Sequence, residues 1–261
     1  LAPIIMQPAV QMDTSLITVS YAYDSLYRLT AANYSDGNFF HYTYDAAGNR
    51  LTETTRFGTN TYVYDAANRL VSVNAVNYTW DNNGNLLSDG EYTYTYDHAN
   101  RLKTVTDGVN TRSYSYNGLG DRVSETVNEV TTDYVLDLAG GLTQVLAEGT
   151  NSYLYGNARL MQEDSSAEKE YFLGDALGSV RMLTDEEGEI TLLRSYEPYG
   201  EVLTSQGSGE TSYAFTGEQY DPQTGLVYLR ARYYSTASGR FMSRDAWRGD
   251  EGMPMSYNAW L

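Results

Sequence analysis

Few residues in this sequence have the chemistry of a catalytic or metal-binding centre. There is no cysteine and there are two histidines, which excludes a thiol nucleophile, a disulfide framework and a multi-histidine metal site. His41 and His98 adjoin aromatic segments and are interpreted as strand residues rather than ligands. The segment DNNGN at 81–85 hints at calcium, but it lacks the distal glutamate of an EF-hand loop. Since no nucleophile elbow, dinucleotide-binding glycine motif or Walker loop is present either, we expect no metal and no cofactor.

Acidic residues dominate the charge. Lysine and arginine together number 17 and aspartate and glutamate 34, which gives a formal net charge of −17. Nucleic acids and anionic membranes bind cationic surfaces, so we expect neither as a partner. No apolar run reaches the roughly 18 residues of a membrane helix, so no membrane insertion is expected. Because the sequence begins at Leu1 without a visible signal peptide, we expect a processed or excised segment whose targeting signals lie elsewhere.

Tyrosine and glycine indicate the fold class. The 26 tyrosines favour strands, and the 23 glycines, with asparagine and aspartate, supply tight turns. Aromatic pairs followed by Asp or Asn recur at intervals of roughly 20 residues. The clearest copies are Tyr21/Tyr23-Asp24, Tyr42/Tyr44-Asp45, Tyr62/Tyr64-Asp65, Tyr78/Trp80-Asp81, Tyr94/Tyr96-Asp97 and Tyr114/Tyr116-Asn117. Most copies then end in an arginine and an aliphatic residue, as in Arg28-Leu29, Arg50-Leu51, Arg69-Leu70, Arg101-Leu102 and Arg122-Val123.

Each repeat is predicted to be one β-hairpin. Residues i and i+2 share a strand face, so the paired aromatics lie side by side and successive hairpins stack their tyrosines into a ladder. The aspartate caps the turn, the arginine reaches that aspartate across the hairpin, and the neighbouring aliphatic residue faces inward. An isolated hairpin is barely stable in water, so the hairpins must associate. The predicted fold is all-β, with antiparallel hairpin repeats forming a curved, spiralling sheet that stays open.

The repeats resemble the YD repeats of the Rhs family, which also occur in Tc toxin shell proteins and teneurins. Three later segments strengthen the resemblance: YFLGDALGSVR at 171–181, SYEPYGE at 195–201, and the stretch 220–245. The resemblance implies a ribbon of hairpins that spirals into a hollow shell. In many toxin members the shell encloses a C-terminal polypeptide and ends in a plug-like core. We therefore predict an N-terminal arm (1–20), a YD-repeat hairpin array (21–165), an Rhs-associated core (166–245) and a C-terminal tail (246–261).

The resemblance also implies candidate catalytic residues, because the family's autoprotease uses an arginine and two aspartates. Arg232 matches the arginine and Asp245 the first aspartate, whereas the matching position for the second lies beyond Leu261. Aspartic catalysis needs two close carboxylates that share one proton. We therefore expect no enzyme activity from this chain, and we expect Asp245 to pair with Arg232 or Arg240 and help lock the core.

Size limits what the chain can enclose. Roughly 24 strands at ~4.8 Å spacing give a ribbon on the order of 2,300 Å², whereas a closed shell of ~30 Å radius needs about 11,000 Å². Because unpaired sheet edges recruit other chains, the main hypothesis is a non-enzymatic structural subunit that self-assembles into an extracellular or cell-surface tube or filament. The alternatives are a wall segment of an Rhs or Tc-type toxin-encapsulating shell and a carbohydrate-binding surface module. The expected partners are further copies of the chain, an encapsulated polypeptide or a glycan.

Overall fold

The computed structural model describes residues 15–261, and nearly all of its regular secondary structure is β-strand. The predicted all-β class is confirmed, since two short 3₁₀ turns, Phe215–Gly217 and Pro254–Tyr257, are the only helical elements in this part of the chain. No helix among these residues is long and apolar enough to cross a membrane. Residues 1–14 of the predicted N-terminal arm lie outside the described residues.

Two antiparallel sheets, in which the strands follow chain order, form what we call the wall. The first sheet has seven strands: β1 (Val19–Tyr23), β2 (Leu29–Tyr34), β3 (Phe39–Tyr44), β4 (Arg50–Thr55), β5 (Gly58–Tyr64), β6 (Leu70–Val73) and β7 (Val76–Asn77). The second sheet has fourteen strands: β8 (Thr79–Trp80), β9 (Leu86–Ser88), β10 (Thr93–Tyr96), β11 (Leu102–Thr106), β12 (Thr111–Tyr116), β13 (Arg122–Val127), β14 (Val130–Asp137), β15 (Gln144–Glu148), β16 (Asn151–Tyr155), β17 (Arg159–Glu163), β18 (Lys169–Gly174), β19 (Val180–Thr184), β20 (Ile190–Tyr196) and β21 (Val202–Gly207).

A third, four-stranded antiparallel sheet, here called the core sheet, lies against the inner face of the wall. Its strands are β22 (Gln219–Asp221), β23 (Leu226–Leu229), β24 (Arg232–Ser235) and β25 (Arg240–Phe241). Its buried residues Leu226, Tyr228 and Tyr233 form one apolar cluster with wall residues such as Leu102 and Tyr114. The predicted domain boundary at residue 165 stays a prediction. The strands on either side of it, β17 and β18, pair with each other within the wall.

A capped turn sets the geometry of the hairpins. The Oδ1 of Asp45 accepts the backbone N–H groups of Ala47 and Asn49 at 2.9 Å, and its Oδ2 accepts the Asn49 side chain at 2.7 Å. We call the residue that begins the turn, an aspartate in most hairpins and Asn117 in one, the cap residue. The third residue after it has a positive φ, +84° at Gly48, which glycine adopts without strain. The same position has positive φ at Tyr27, Asn68, Gly84, Asn100, Gly120 and Gly178.

The turn determines which residue of the return strand faces inward. A β-bulge occurs at this end of most hairpins, for example between Thr43 and Tyr44, whose partners are Thr52 and Arg50. The fifth residue after the cap points to the inner face, and the next residue turns outward, as Leu51 does with 39% exposure. The fifth position holds Leu29, Arg50, Leu70, Leu86, Leu102, Arg122 and Val180.

The predicted arginine–aspartate pairing depends on this register. It is present where the arginine is the fourth residue after the cap, in the pairs Arg28–Asp24, Arg69–Asp65 and Arg101–Asp97. It is wrong for Arg50 and Arg122. Each of these arginines is the fifth residue after its cap, because a glycine supplies the third residue and Asn49 or Asp121 takes the fourth position. Both arginines therefore point inward and are buried.

The two aromatics of a repeat have different roles. The leading tyrosines face inward and are nearly inaccessible, with 3% exposure at Tyr42 and 4% at Tyr62. In four repeats the second aromatic donates a hydrogen bond to the backbone carbonyl of the preceding hairpin's inward residue, whereas Tyr96 donates to the Met242 carbonyl at 3.4 Å. The four bonds join Tyr44 to Leu29 (2.6 Å), Tyr64 to Arg50 (2.9 Å), Trp80 to Leu70 (2.7 Å) and Tyr116 to Leu102 (2.6 Å). The second aromatics therefore link consecutive hairpins.

The predicted stacking of leading tyrosines into a ladder is wrong. Leading tyrosines of consecutive repeats lie two strands apart, about 9–10 Å, which is too far for their rings to touch. Within the described residues, their ring partners come instead from later parts of the chain. The pairs are Tyr42–Tyr199, Tyr114–Tyr233 and Tyr153–Tyr213, with ring centroids 5.1, 5.1 and 5.0 Å apart.

The wall curls until its last hairpin packs on the inner face of its first strands. The Tyr34 hydroxyl donates to the Tyr196 carbonyl at 3.0 Å, and the hydroxyls of Tyr44 and Tyr199 are 2.7 Å apart. Leu203 of β21 packs in the cluster that contains Ala32, Phe40 and Tyr42. We call this contact the seam. It joins side chains rather than strand edges, so the wall overlaps itself without closing into a barrel.

The inter-hairpin hydrogen bond can be tested by removing one hydroxyl. Tyr116→Phe leaves the Leu102 carbonyl without its donor in a buried setting, and we expect a loss of about 1–3 kcal/mol in the free energy of unfolding. Urea denaturation measures this loss. The control is Tyr27→Phe, where the ring is exposed and the expected change is within about 0.5 kcal/mol. Equal stabilities of the two variants would contradict the role of the bond.

Candidate functional site

The interface between the wall and the core sheet contains most of the buried charge of the described residues. Arg50 reaches from β4 into the core segment. Its Nη2 donates to the carbonyls of Ala237 and Ser238 at 3.1 and 2.8 Å and to the Tyr62 hydroxyl at 3.0 Å. Glu53, three residues along the same strand, pairs with its Nη1 at 3.3 Å. The wall thus holds a core loop through one guanidinium group.

Arg122 is the corresponding contact on the second sheet, at the same position after its cap. It is 6% exposed, and its guanidinium group donates to Gln219 and, at 2.9 Å, to the Tyr233 hydroxyl. The Tyr228 hydroxyl accepts the backbone N–H of Arg122 at 3.1 Å. All three partners belong to the core sheet. Aromatic rings surround the cation, since the guanidinium carbon lies 4.3–5.9 Å from the centroids of Tyr228, Tyr134, Tyr114 and Tyr233.

Further arginines cross the interface in both directions. From the wall, Arg159 donates to the Gly217 carbonyl at 2.9 Å and lies over the ring of Tyr213. From the core sheet, Arg240 donates to the Asn49 side chain at 3.1 Å and to the Asn68 carbonyl at 2.9 Å. These acceptors lie in wall turns, so the capped turns also provide docking points for the core.

Burial and charge act in opposite directions on these cations. Burial lowers the pKa of Arg50 and Arg122, but surrounding tyrosines, with Glu53 beside Arg50 and Glu125 beside Arg122, raise both pKa values above the ordinary one. Both cations therefore remain charged, and their cost of desolvation is offset by carbonyls, carboxylates and ring faces. Burial also raises the pKa of Tyr196 to about 12, so its hydroxyl stays protonated and can donate to the Val180 carbonyl at 2.6 Å.

The carboxylate of Glu148 is the acceptor at the centre of a third contact. Its Oε2 accepts the Tyr153 hydroxyl at 3.0 Å, the Gln219 amide at 3.2 Å and the hydroxyl of Ser212. Tyr153 belongs to the wall, and the other two partners belong to the chain that enters the core. Sequence reasoning missed this residue and Gln219, because a glutamate on an ordinary strand carries no motif.

Backbone hydrogen bonds add to the side-chain contacts between wall and core. The N–H of Leu86 donates to the Met242 carbonyl at 2.9 Å, and the N–H of Arg244 donates to the Gly84 carbonyl at 3.0 Å. The Trp260 indole also donates to the Gly84 carbonyl, at 3.3 Å. The segment after the core sheet is thereby bound to the turn between β8 and β9.

The structure brings together Arg232 and Asp245, the two residues that match the family's autoprotease. Arg232 Nη2 lies 2.6 Å from Asp245 Oδ2, and Arg232 also donates to the Ala259 carbonyl at 3.1 Å. The other carboxylate oxygen accepts the Trp247 N–H at 2.8 Å. Burial lowers the pKa of Arg232, and the Asp245 carboxylate opposes this effect. One oxygen of the carboxylate therefore pairs with the core sheet, as expected for a lock, and the other holds the local turn at Trp247.

Most of the repeat residues named from the sequence lie at this interface or behind it. Tyr62, Tyr94 and Tyr96 face the core or its neighbours, while Arg69 and Arg101 stay partly exposed and paired with the aspartates of their own turns. Tyr21 and Tyr23 differ, because β1 is the edge of the sheet and the two side chains are 53% and 58% exposed.

Comparison with known proteins shows what the chain is similar to. The sequence profile of the family described as Teneurin YD-shell matches residues 4–258. The tRNA nuclease WapA of Bacillus subtilis is 34% identical over 255 residues, which is 91% of this chain and 11% of that protein. Teneurin-1 of Mus musculus is 24% identical over 265 residues, covering 95% of this chain and 10% of that protein. The chain thus spans about a tenth of the length of these relatives.

Among solved structures, the Photorhabdus luminescens Tc holotoxin pore has a similar fold. The match has a TM-score of 0.52 at 18% sequence identity and covers 94% of this chain and 17% of that one. At this identity the likeness shows the fold alone. It agrees with the curled hairpin wall described above.

The importance of the inward arginines can be tested with a matched pair of variants. Arg122→Ala removes a buried cation from Gln219 and from four tyrosine rings, and we expect a loss of about 3 kcal/mol or more in the free energy of unfolding. Arg101→Ala removes a partly exposed ion pair one position earlier in its turn and should cost less, about 1 kcal/mol. Urea denaturation compares the two. A larger loss for the Arg101 variant would refute the assignment.

The Arg232–Asp245 pair yields a prediction about self-cleavage. A single carboxylate whose oxygens are bound to Arg232 and the Trp247 N–H cannot both activate water and donate a proton. Mass spectrometry should therefore find the purified chain at the mass of its 261 residues, and Asp245→Asn should not change the chain length. A shortened wild-type chain together with an intact Asn variant would revive the catalytic interpretation.

Proposed function

Because the chain belongs to the teneurin YD-shell family, as its tyrosine–aspartate repeats predicted, we propose that it is a wall segment of a toxin-encapsulating shell. The main support is that buried arginines join the inner face of the curled wall to the core sheet and its loop. The wall supplies a scaffold and the core fixes its curvature. The neighbouring parts of the longer protein would supply the rest of the shell and the polypeptide inside it. The relative named as a tRNA nuclease supports such a cargo.

The β1 edge supports continuation of the wall. In four of the repeats that follow, the second aromatic donates to a carbonyl of the preceding hairpin, whereas Tyr23 donates no hydrogen bond within residues 15–261. Tyr21 beside it occupies a position that is buried in later repeats and is half exposed here. The edge therefore has the surface that receives a hairpin in the rest of the wall.

The wall segment is favoured over the other two hypotheses. The similarity to large proteins, of which this chain covers about a tenth, fits a wall segment better than a free filament subunit. The glycan-binding hypothesis depended on a tyrosine-rich surface, yet Tyr42, Tyr62 and Tyr94 are buried against the core side. On the outer face, threonine hydroxyls pair with one another, as Thr43 does with Thr52 at 2.6 Å. An extracellular or cell-surface location remains part of the proposal.

Protease protection tests the proposed function. In a polypeptide that continues this segment with further hairpins and a C-terminal domain, we expect that domain to resist proteinase K as long as the wall is intact. Arg50→Ala, which releases the core loop at Ala237 and Ser238, should expose the domain, whereas Arg69→Ala, which breaks only an ion pair within its own turn, should not. Rapid digestion of the C-terminal domain in the wild-type protein and in both variants alike would refute encapsulation. Filaments of the purified chain in electron micrographs, with one copy per repeat, would instead support the self-assembling subunit.

A further inference from the structure

The turn between β20 and β21, Glu197–Glu201, lies where the wall, its last hairpin and the core sheet meet. Tyr199 at its centre contacts the Tyr44 hydroxyl at 2.7 Å and accepts the Tyr234 hydroxyl at its carbonyl at 3.0 Å. The Arg50 guanidinium carbon lies 4.8 Å from the Tyr199 ring. Opening the seam would therefore separate this turn from β3 and from β24 at once.

Glu197 occupies the cap position of this turn but does not cap it. Its backbone makes the usual turn hydrogen bonds, to Glu201 at 2.8 Å and from Gly200 at 2.9 Å. In the preceding turn, the Asp185 carboxylate accepts the N–H groups of Glu187 and Glu189. The longer Glu197 side chain accepts no hydrogen bond within the described residues and lies half-buried beside the seam. Nothing local therefore stabilises its negative charge.

Acidic groups face Glu197 from two elements. Burial raises its pKa to about 8, and the neighbouring carboxylates of Glu201 on the same turn and Glu53 on β4 add to the effect. Arg50 on β4 is the opposing cation, and it is already shared among Glu53, Tyr62 and two core carbonyls. The remaining titratable neighbours are phenols that stay protonated: Tyr34 on β2 and Tyr42 on β3 near Glu197, and Tyr220 on β22 near Glu201.

We propose that the seam is a pH-dependent latch: while Glu197 is protonated the last hairpin stays packed inside the first strands, and loss of that proton releases it. The protonated carboxyl is neutral beside Glu201 and Glu53. The ionised carboxylate adds negative charge to a half-buried contact in which burial and Glu53 already raise the pKa of Glu201, and it is relieved only when the turn moves into water.

The direction of the pH dependence follows from linkage. With the seam open, Glu197 lies in water with its ordinary pKa of 4.5, whereas with the seam closed its pKa is about 8. Between these values the closed state retains a proton that the open state has lost. Each added pH unit in this window therefore favours opening by up to about tenfold. Below the window both states are protonated and above it both are ionised, so the stability of the closed seam is lost as the pH rises through the window.

Hydrogen–deuterium exchange of the full chain tests the latch. Peptides from residues 29–44 and 190–207 report on the two sides of the seam, at pH 5, 6.5 and 8.5 after correction for the chemical exchange rate. We expect their protection to fall as the pH rises. In Glu197→Gln, which is neutral at every pH, protection should stay high throughout. The matched control, Glu187→Gln, changes an exposed glutamate in the preceding turn and should keep the wild-type pH dependence.

Two outcomes would overturn the proposal: protection that does not depend on pH in the wild-type chain, or protection that falls equally in Glu197→Gln. If near-ultraviolet circular dichroism shows that the Gln variant does not fold, carbon-13 NMR of the wild-type Glu197 carboxyl decides. A titration midpoint near 8 supports the latch, and a midpoint in the ordinary range of glutamate overturns it.

Discussion

The wall depends on a turn whose acid binds the backbone of the residues that follow it. A carboxylate oxygen accepts two backbone N–H groups, and a residue with positive φ reverses the chain three positions later. Because these positions are fixed, the fifth residue of these turns enters the return strand facing inward, as Leu70, Leu102 and Arg122 do. One residue more or less between the cap residue and an arginine then changes the face of the sheet to which the arginine side chain points. Arg101 and Arg122 illustrate the difference, the first partly exposed and paired with Asp97 of its own turn, the second buried against the core.

The sequence predicts the parts of the fold that depend on local spacing. The strand alternation of Tyr42 and Tyr44, the capping by Asp45 and the antiparallel order of the hairpins follow from periods of two and from turn chemistry. The inward position of Arg50 was missed, because the motif was aligned on the arginine rather than on the cap residue. Counting from the cap would have placed Arg50 and Arg122 at the position that Leu70 and Leu102 occupy in other repeats.

The contacts with the core could not be predicted in the same way. Arg50 meets Ala237 and Ser238 across 187 and 188 residues, and no periodicity connects them. The one pair that was anticipated, Arg232 with Asp245, lies within 13 residues and was suggested by a motif. Long-range partners such as Gln219 are chosen by the curvature of the whole wall. That curvature is the sum of many bulges and inter-hairpin bonds, each of which contributes a small rotation.

Buried arginines specify where the core sheet binds the wall. Their desolvation costs free energy that leucines in the same position would not lose. A cation must keep all its partners, whereas an aliphatic side chain accepts any close-packed neighbour. Arg50 and Arg122 therefore allow one placement of the core, and Leu70 and Leu102 between them fill space without selecting it. At the seam, Arg28 and Arg181 lie over the rings of Tyr44 and Tyr196, whereas Arg50, the cation that acts on Glu197, is committed to the core loop. The wall therefore holds the core through paired cations, whereas its overlap with itself includes a half-buried acid whose side chain accepts no hydrogen bond in the part of the chain that the structure describes.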